Sequence, residues 1–91
     1  MARNFRQLEG VVRGFANHNR IEILNLLDEN DELDLLAIAR GCGINYKTAA
    51  EHVRRLTVAG LVSKRPQGTH VHHAPTPRGK KVLTFLRALE P

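Results

Sequence analysis

The first apolar residues of the chain recur every three to four positions, which predicts a helix within residues 1–16. Its single apolar stripe contains Phe5, Leu8, Val12 and Phe15. Asn17 or Asn19 then offers an N-cap for a second helix, which the polar residues 28–31 end. A broad apolar face predicts that this second helix lies in the core; its members are Ile21, Ile23, Leu24, Leu26 and Leu27.

Two short helices follow, joined by only three residues. Asp34 is a suitable N-cap for a helix from Leu35 to about Cys42, and Gly43 is placed to supply the left-handed residue after it. Asn45 caps the next helix, predicted for residues 46–59, with Ala49, Val53 and Leu56 pointing inward. Two helices joined by a short turn that contains glycine are typical of a helix-turn-helix.

Residues 61–74 have the pattern of a β-hairpin, with strands at 61–65 and 70–74 and turn-forming residues at 66–69. Thr76 caps a last helix within residues 76–91, and Pro77 takes its favoured first position. The apolar stripe of this helix contains Val82, Phe85, Leu86 and Leu89. With a short strand step at residues 32–33, the predicted order is α-α-(β)-α-α-β-β-α. This is a mainly α fold with a small β-hairpin, and the hairpin makes the helix-turn-helix a winged one.

Length and charge add a partner to this picture. The 91 residues predict a single domain, 1–91, with a net charge of +5. Residues 1–39 hold four Arg and seven acidic residues, whereas residues 40–91 hold ten Lys or Arg and two Glu. Such an asymmetry favours a polyanionic partner over a merely solvated basic surface.

Composition also excludes several classes of protein. The chain has one Cys, so it forms no intrachain disulfide, and no apolar run is long enough for a membrane span or a signal peptide. A reducing, cytoplasmic setting is therefore expected. Phosphate-binding glycine loops, nucleophile elbows and metal triads do not occur, so we predict no catalytic residues and no enzyme activity.

His70, His72 and His73 are the residues closest to a metal-ligand pattern. Strand alternation places His70 and His72 on one face and His73 on the other, with no carboxylate or Cys nearby in sequence. Because zinc needs three or four ligands, we predict no metal and no cofactor. The milder alternative is that protonation of these histidines adds positive charge to the wing. Cys42 is predicted to be a small buried hydrophobe, the alternative being a redox switch.

Residues 17–27 resemble the second-helix signature of winged helix-turn-helix regulators of the ArsR type, with Arg20, Ile23 and Leu24 at matching positions. Residues 45–56 and 59–62 are similar to the recognition helix and the start of the wing in that family. Residues 68–73 and 76–79 are similar to the wing's return strand and the last helix, a tail also seen in MarR-type proteins. The paired-Cys motif of the metal-sensing members is absent from 35–42, and the ligands of the other known metal site have no match in 76–91. Metal sensing therefore does not transfer.

The resemblance implies a sequence-specific, double-stranded DNA-binding transcriptional regulator that acts as a repressor. Helix 46–59 is expected in the major groove, and wing 61–74 on the flanking backbone or in the minor groove. The candidate contact residues are Asn45, Tyr46, Lys47, Thr48, Arg54 and Arg55 on the helix side and Lys64, Arg65 and Gln67 on the wing. We predict that Glu51 pairs with Arg55 rather than with a cytosine, and that His52 is a half-buried structural residue.

In the resembling families the first and last helices build a two-fold dimer, and the same is expected here. Its candidate interface is Phe5, Leu8, Val12, Phe15, Val82, Phe85, Leu86 and Leu89. Two recognition helices about 34 Å apart then read a palindromic operator. The alternative is a winged-helix interaction module of a larger assembly that binds protein, or DNA nonspecifically. No small-molecule effector is identified by the sequence.

Overall fold

The computed structural model describes residues 2–30 and 32–91, so Met1 and Asp31, the latter inside the predicted polar turn, lie outside the described residues. The elements in chain order are α1 (Phe5–Phe15), α2 (His18–Glu29), α3 (Leu35–Cys42), α4 (Tyr46–Val58), β1 (Val62–Gln67), β2 (His70–Pro75) and α5 (Pro77–Leu89). Leu33 forms an isolated antiparallel bridge with His73. The predicted fold class is confirmed, including the strand step. No helix in this part of the chain is long and apolar enough to cross a membrane.

Side-chain caps start the helices where the sequence indicates. Asn17 Oδ1 accepts the backbone N–H groups of Asn19 and Arg20, which identifies it as the cap of α2. Asp34 accepts from the Ala37 N–H at 2.8 Å, and Gly43 ends α3 with a φ of 64°. An N-cap for α1, Asn4, was not predicted. Each cap satisfies N–H groups that have no partner inside the helix, which explains why the boundaries are sharp.

The core is one cluster to which all five helices and β1 contribute. Its largest fully buried side chains are Ile23, Leu24, Ile38, Leu56 and Leu61. On α4, the predicted inward residues are all buried: Ala49, Val53 and Leu56. The core thus holds α4 by one face and leaves the opposite face exposed.

The inward face of α5 differs from the predicted stripe. Its buried residues are Gly79 and Leu83, one turn apart, and Leu83 was not in the predicted set. A Cβ on Gly79 would collide with the Leu61 carbonyl oxygen. Because Gly79 allows this close backbone approach, α5 is rotated so that Leu83 enters the core and Phe85 and Leu89 face outward.

The hairpin turn is shorter than predicted. The strands pair from Val62 with Pro75 to Gln67 with His70, so the turn consists of residues 68 and 69 and not of 66–69. Gly68 has a φ of 61°, and a glycine at the first turn position is sufficient for a two-residue hairpin. Pro66 therefore continues the ladder opposite Val71, which a proline tolerates in a strand with a free edge.

The end of α4 is tied to the start of α5. The Thr76 hydroxyl donates to the Gly60 carbonyl at 2.6 Å, and the Thr76 N–H donates to the Leu61 carbonyl at 3.0 Å. Arg78 Nη1 donates to the Ala59 carbonyl at 3.1 Å. These bonds satisfy carbonyl groups at the α4 C-terminus and hold the wing at a defined angle to that helix.

Candidate nucleic-acid interface

The first turn of α4 exposes polar side chains away from the core. Tyr46, Lys47 and Thr48 are all exposed, and Tyr46 keeps 54% of its surface accessible. Asn45 lies just before them, but its Oδ1 accepts the Lys47 N–H at 2.7 Å as the helix cap. Its amide nitrogen is the atom left for donation outward. The structure therefore brings four of the predicted contact residues together at one helix end.

Glu51 holds both arginines of the exposed α4 face. Its carboxylate accepts from Arg54 Nε and Nη2 at 3.0 and 2.8 Å, and from Arg55 Nε at 3.0 Å. Hydrogen bonding from Arg54, then from Arg55, lowers the pKa of Glu51 to about 2. The predicted pair with Arg55 is present, and Arg54 joins it. The guanidinium groups are thus positioned together, with N–H groups remaining for phosphate or guanine.

His52 lies half-buried on α4 beside the N-terminal part of α2. Within the described residues its Nδ1 has no hydrogen-bond partner. Burial lowers the pKa of its imidazole, and the positive charges of Arg20 and Arg55 lower it further. The predicted structural placement is in line with this environment, which favours the neutral ring.

The two basic residues of the wing point to opposite faces of the hairpin. Lys64 lies opposite His73 in the register, and Arg65 lies opposite His72. Both side chains are exposed, as is Gln67 at the end of β1. Arg65 Nη1 is 3.8 Å from Glu32 Oε1, so part of its charge is balanced by the segment before α3. Lys64 and Arg65 therefore cannot face a single DNA groove in the same way.

The three wing histidines have different surroundings. His73 is buried, and its Nδ1 donates to the Leu33 carbonyl at 3.0 Å. Burial lowers the pKa of His73, against the opposing effect of that carbonyl. His70 and His72 stay on the other face, as predicted by alternation.

Two carboxylates reach that other face, contrary to what sequence distance implied. Nδ1 of His70 is 3.6 Å from Asp34, and Nδ1 of His72 is 3.6 Å from Glu32. The signal was available, because residues 32 and 34 flank the bridging Leu33 and share one strand face. Among the described residues, no group of three or more His, Cys, Asp or Glu is arranged to hold a metal ion.

Cys42 is half-buried at the end of α3. Burial raises the pKa of its thiol, and the charge of Glu22 raises it further. A raised pKa keeps the sulfur protonated and weakly nucleophilic, in line with the predicted packing role.

The eight apolar residues predicted for a dimer interface separate into two groups. Phe15 is buried in the core of its own chain, and Val82 and Leu86 pack partly against that core, so these three are corrected to intramolecular packing. The reason is that α1 and α5 each bury a second row of side chains beside the predicted stripe. The other five stay candidates because they are 50–72% exposed: Phe5, Leu8, Val12, Phe85 and Leu89.

A capped helix with a polar, basic outer face, set behind a short helix and directly before a two-stranded wing, defines a winged helix-turn-helix DNA-binding protein. The winged helix-turn-helix DNA-binding family matches residues 17–63, and the chain belongs to this family. That match runs from the cap of α2 into β1.

Solved structures give the same fold over nearly the whole chain. The 1–100 fragment of Mb0332 from Mycobacterium bovis, a homodimeric domain of a possible ArsR-family transcriptional regulator, is 27% identical with a TM-score of 0.84. The match covers 98% of this chain and 89% of that one. Two structures below 25% identity support the fold alone. NolR from Sinorhizobium fredii is 24% identical with a TM-score of 0.84, covering 92% and 84% of the two chains. Reduced HlyU from Vibrio cholerae is 23% identical with a TM-score of 0.80, covering 94% and 90%.

The structural neighbours are ArsR-family-like transcriptional regulators, which confirms the type of protein that the sequence resembles. A comparison with curated protein sequences gives no significant match.

Proposed function

We propose that the chain is a sequence-specific regulator of transcription that inserts α4 into the major groove of double-stranded DNA. The observation that carries this proposal is the α4 outer face, where Lys47, Arg54 and Arg55 are exposed on a helix whose inner face is buried. Thirteen residues of helix span about 20 Å, enough to lie along a groove. Lys47 and its neighbours in the first turn approach the bases.

The wing flanks that contact. Lys64 and Gln67 are exposed on β1, and Lys64 is without a carboxylate within ion-pair distance in the described residues. We therefore assign Lys64 to the phosphate backbone or the minor groove beside the α4 site. Arg65, which already faces Glu32, contributes less.

The active form is a homodimer. Five exposed apolar side chains lie on the two terminal helices, more than a monomer benefits from exposing. The related Mb0332 domain is homodimeric. A two-fold dimer places two copies of α4 about 34 Å apart, so the operator is palindromic. A compact dimer on a promoter excludes polymerase, which makes repression the expected outcome.

Footprinting on genomic DNA fragments, repeated across salt concentrations, tests sequence specificity. We expect a two-fold symmetric footprint that survives at about 0.15 M salt. Lys47→Ala should weaken binding and leave the melting temperature nearly unchanged. Lys81→Ala is the matched control, because it removes the same charge from an exposed position on α5. Equal effects of the two variants would mean that α4 is not the reading helix; DNA binding without any footprint would favour the nonspecific interaction module.

Light scattering at micromolar concentration tests the dimer. Phe5→Glu replaces a 72% exposed side chain, so it should leave the fold intact while it shifts the mass to that of a monomer. A monomeric mass for the unmodified chain would contradict the dimer.

A further inference from the structure

A cleft of about 560 Å³ lies between α1 and the C-terminal half of α4. Its size falls within the range of small-molecule sites. Val11, Val58 and Ala59 provide its apolar surface, and Val58 is 77% exposed beside it. Four arginines surround this apolar surface: Arg13, Arg54, Arg55 and Arg78.

Two glycines on α1 produce the cleft. A Cβ on Gly14 would collide with the Ala59 Cβ, so this glycine allows α1 to touch α4. One turn earlier, a Cβ on Gly10 would meet no atom within 4 Å. The helices are therefore in contact at Gly14 and separated at Gly10, and the space between them is the cleft.

The arginines give the rim an excess of positive charge. Glu9 pairs with Arg13 at 3.3 Å, and Glu51 serves both arginines of α4. Arg78 has no carboxylate within ion-pair distance in the part of the chain that the structure describes; its Nη1 is instead held by the Ala59 carbonyl. A guanidinium anchored in this way presents its other N–H groups without a large loss of side-chain entropy.

The cleft stays open in the proposed dimer. At 100° per residue, the α1 positions that line it, Gln7, Gly10 and Gly14, lie about 160° from the exposed stripe of Phe5, Leu8 and Val12. A partner that covers the stripe therefore leaves the opposite flank of α1 accessible.

We propose that this cleft binds a small organic anion with an apolar body. The anionic group, a carboxylate or sulfonate, pairs with Arg78 and Arg13, and the apolar body packs against Val11, Val58 and Ala59. Resting on the proposed function, a second consequence follows. Arg54 and Arg55 belong to both the cleft rim and the DNA-facing surface, so ligand and DNA compete for them and ligand binding releases DNA.

The first experiment uses the full chain without DNA. Anilinonaphthalene sulfonate (ANS), an anion on an apolar ring system, is titrated by fluorescence and by calorimetry, and its uncharged relative phenylnaphthylamine serves as the matched probe. We expect one ANS site per chain and binding of the uncharged probe weaker by about tenfold or more. Equal affinity for both probes would refute the role of the arginines.

Three variants locate the probe. Gly10→Leu should fill the cleft without a clash and abolish ANS binding, and Arg13→Gln should weaken it. Leu8→Ser, on the exposed stripe, should not affect it. Amide chemical shifts of Gly10, Gly14 and Val58 should move on titration, a readout that does not depend on how Gly10→Leu folds. Loss of binding in Leu8→Ser, or shift changes confined to the stripe, would overturn the proposal.

The second experiment adds a DNA fragment that the chain binds. Saturating ANS should weaken DNA binding by about tenfold or more in the unmodified chain and leave Gly10→Leu unaffected. ANS bound in the cleft with unchanged DNA affinity would refute the competition. Absence of any DNA binding, with ANS still bound in the cleft, would refute the proposed function and leave the anion site standing.

Discussion

The two glycines of α1 provide the sharpest test of how this helix is held. Alanine is favoured over glycine inside a helix by about 1 kcal/mol, so Gly10→Ala, whose Cβ enters open space, should stabilise the chain by about that amount. Gly14→Ala gains the same preference, but its Cβ collides with that of Ala59. Overpacking of this kind costs about 1–3 kcal/mol, so Gly14→Ala should be neutral to destabilising by about 2 kcal/mol.

Urea unfolding followed by circular dichroism measures the difference between these two variants. It should be about 1–3 kcal/mol, and each kcal/mol corresponds to about 4–8 °C in Tm for a chain of this size. All samples need the same concentration, because dimerisation contributes to stability. Adding Ala59→Gly to Gly14→Ala removes the second methyl and should recover most of the loss. Equal stabilisation by Gly10→Ala and Gly14→Ala would show that α1 does not contact α4 at Ala59, and the cleft would lose its structural basis.

Three other outcomes are expected. Glu51→Gln releases the two α4 arginines, so DNA affinity should rise and log K should depend more steeply on log salt, by about 0.9 for each phosphate gained; weaker binding would instead place Glu51 on a base. Burial lowers the pKa of His73, so the unfolded chain binds the extra proton and stability should fall as the pH drops below about 6.5. The substitution His73→Gln should flatten that acid limb in urea unfolding between about pH 5 and pH 8, and an unchanged limb would contradict the assignment. Leu24→Ala, at a fully buried site, should lose about 2–5 kcal/mol in the same assay, against less than about 1 kcal/mol for the exposed Leu36→Ala; similar losses would contradict the core.

Local chemistry explains why so much of the fold was predictable. Asp34, Asn45 and Thr76 cap helices through hydrogen bonds to residues two or three positions away. Gly43 and Gly68 supply positive φ angles within their own turns. Such interactions depend only on neighbours along the chain, so they are visible in the order of the residues.

The candidate site was predictable only in part. The exposed face of α4 follows from its periodicity, because Ala49, Val53 and Leu56 identify the opposite face. The pairing of Glu51 with Arg54 as well as Arg55 is also local, since these residues are one turn apart. Which of the apolar residues on α1 and α5 remain exposed was not predictable. Phe15 and Leu83 enter the core because of how closely these helices approach α4 and Leu61.

By itself, the sequence determined the helix-turn-helix, its wing and the basic outer face of α4, because caps, turns and apolar periodicity act over a few residues. Only the tertiary structure decided which groups meet across the chain. Packing brings Glu32 and Asp34 to His72 and His70, anchors Arg78 on the end of α4, and opens the cleft beside Gly10. These contacts depend on the distance and rotation between elements, and those are set by packing of the whole core, which a periodic pattern does not specify.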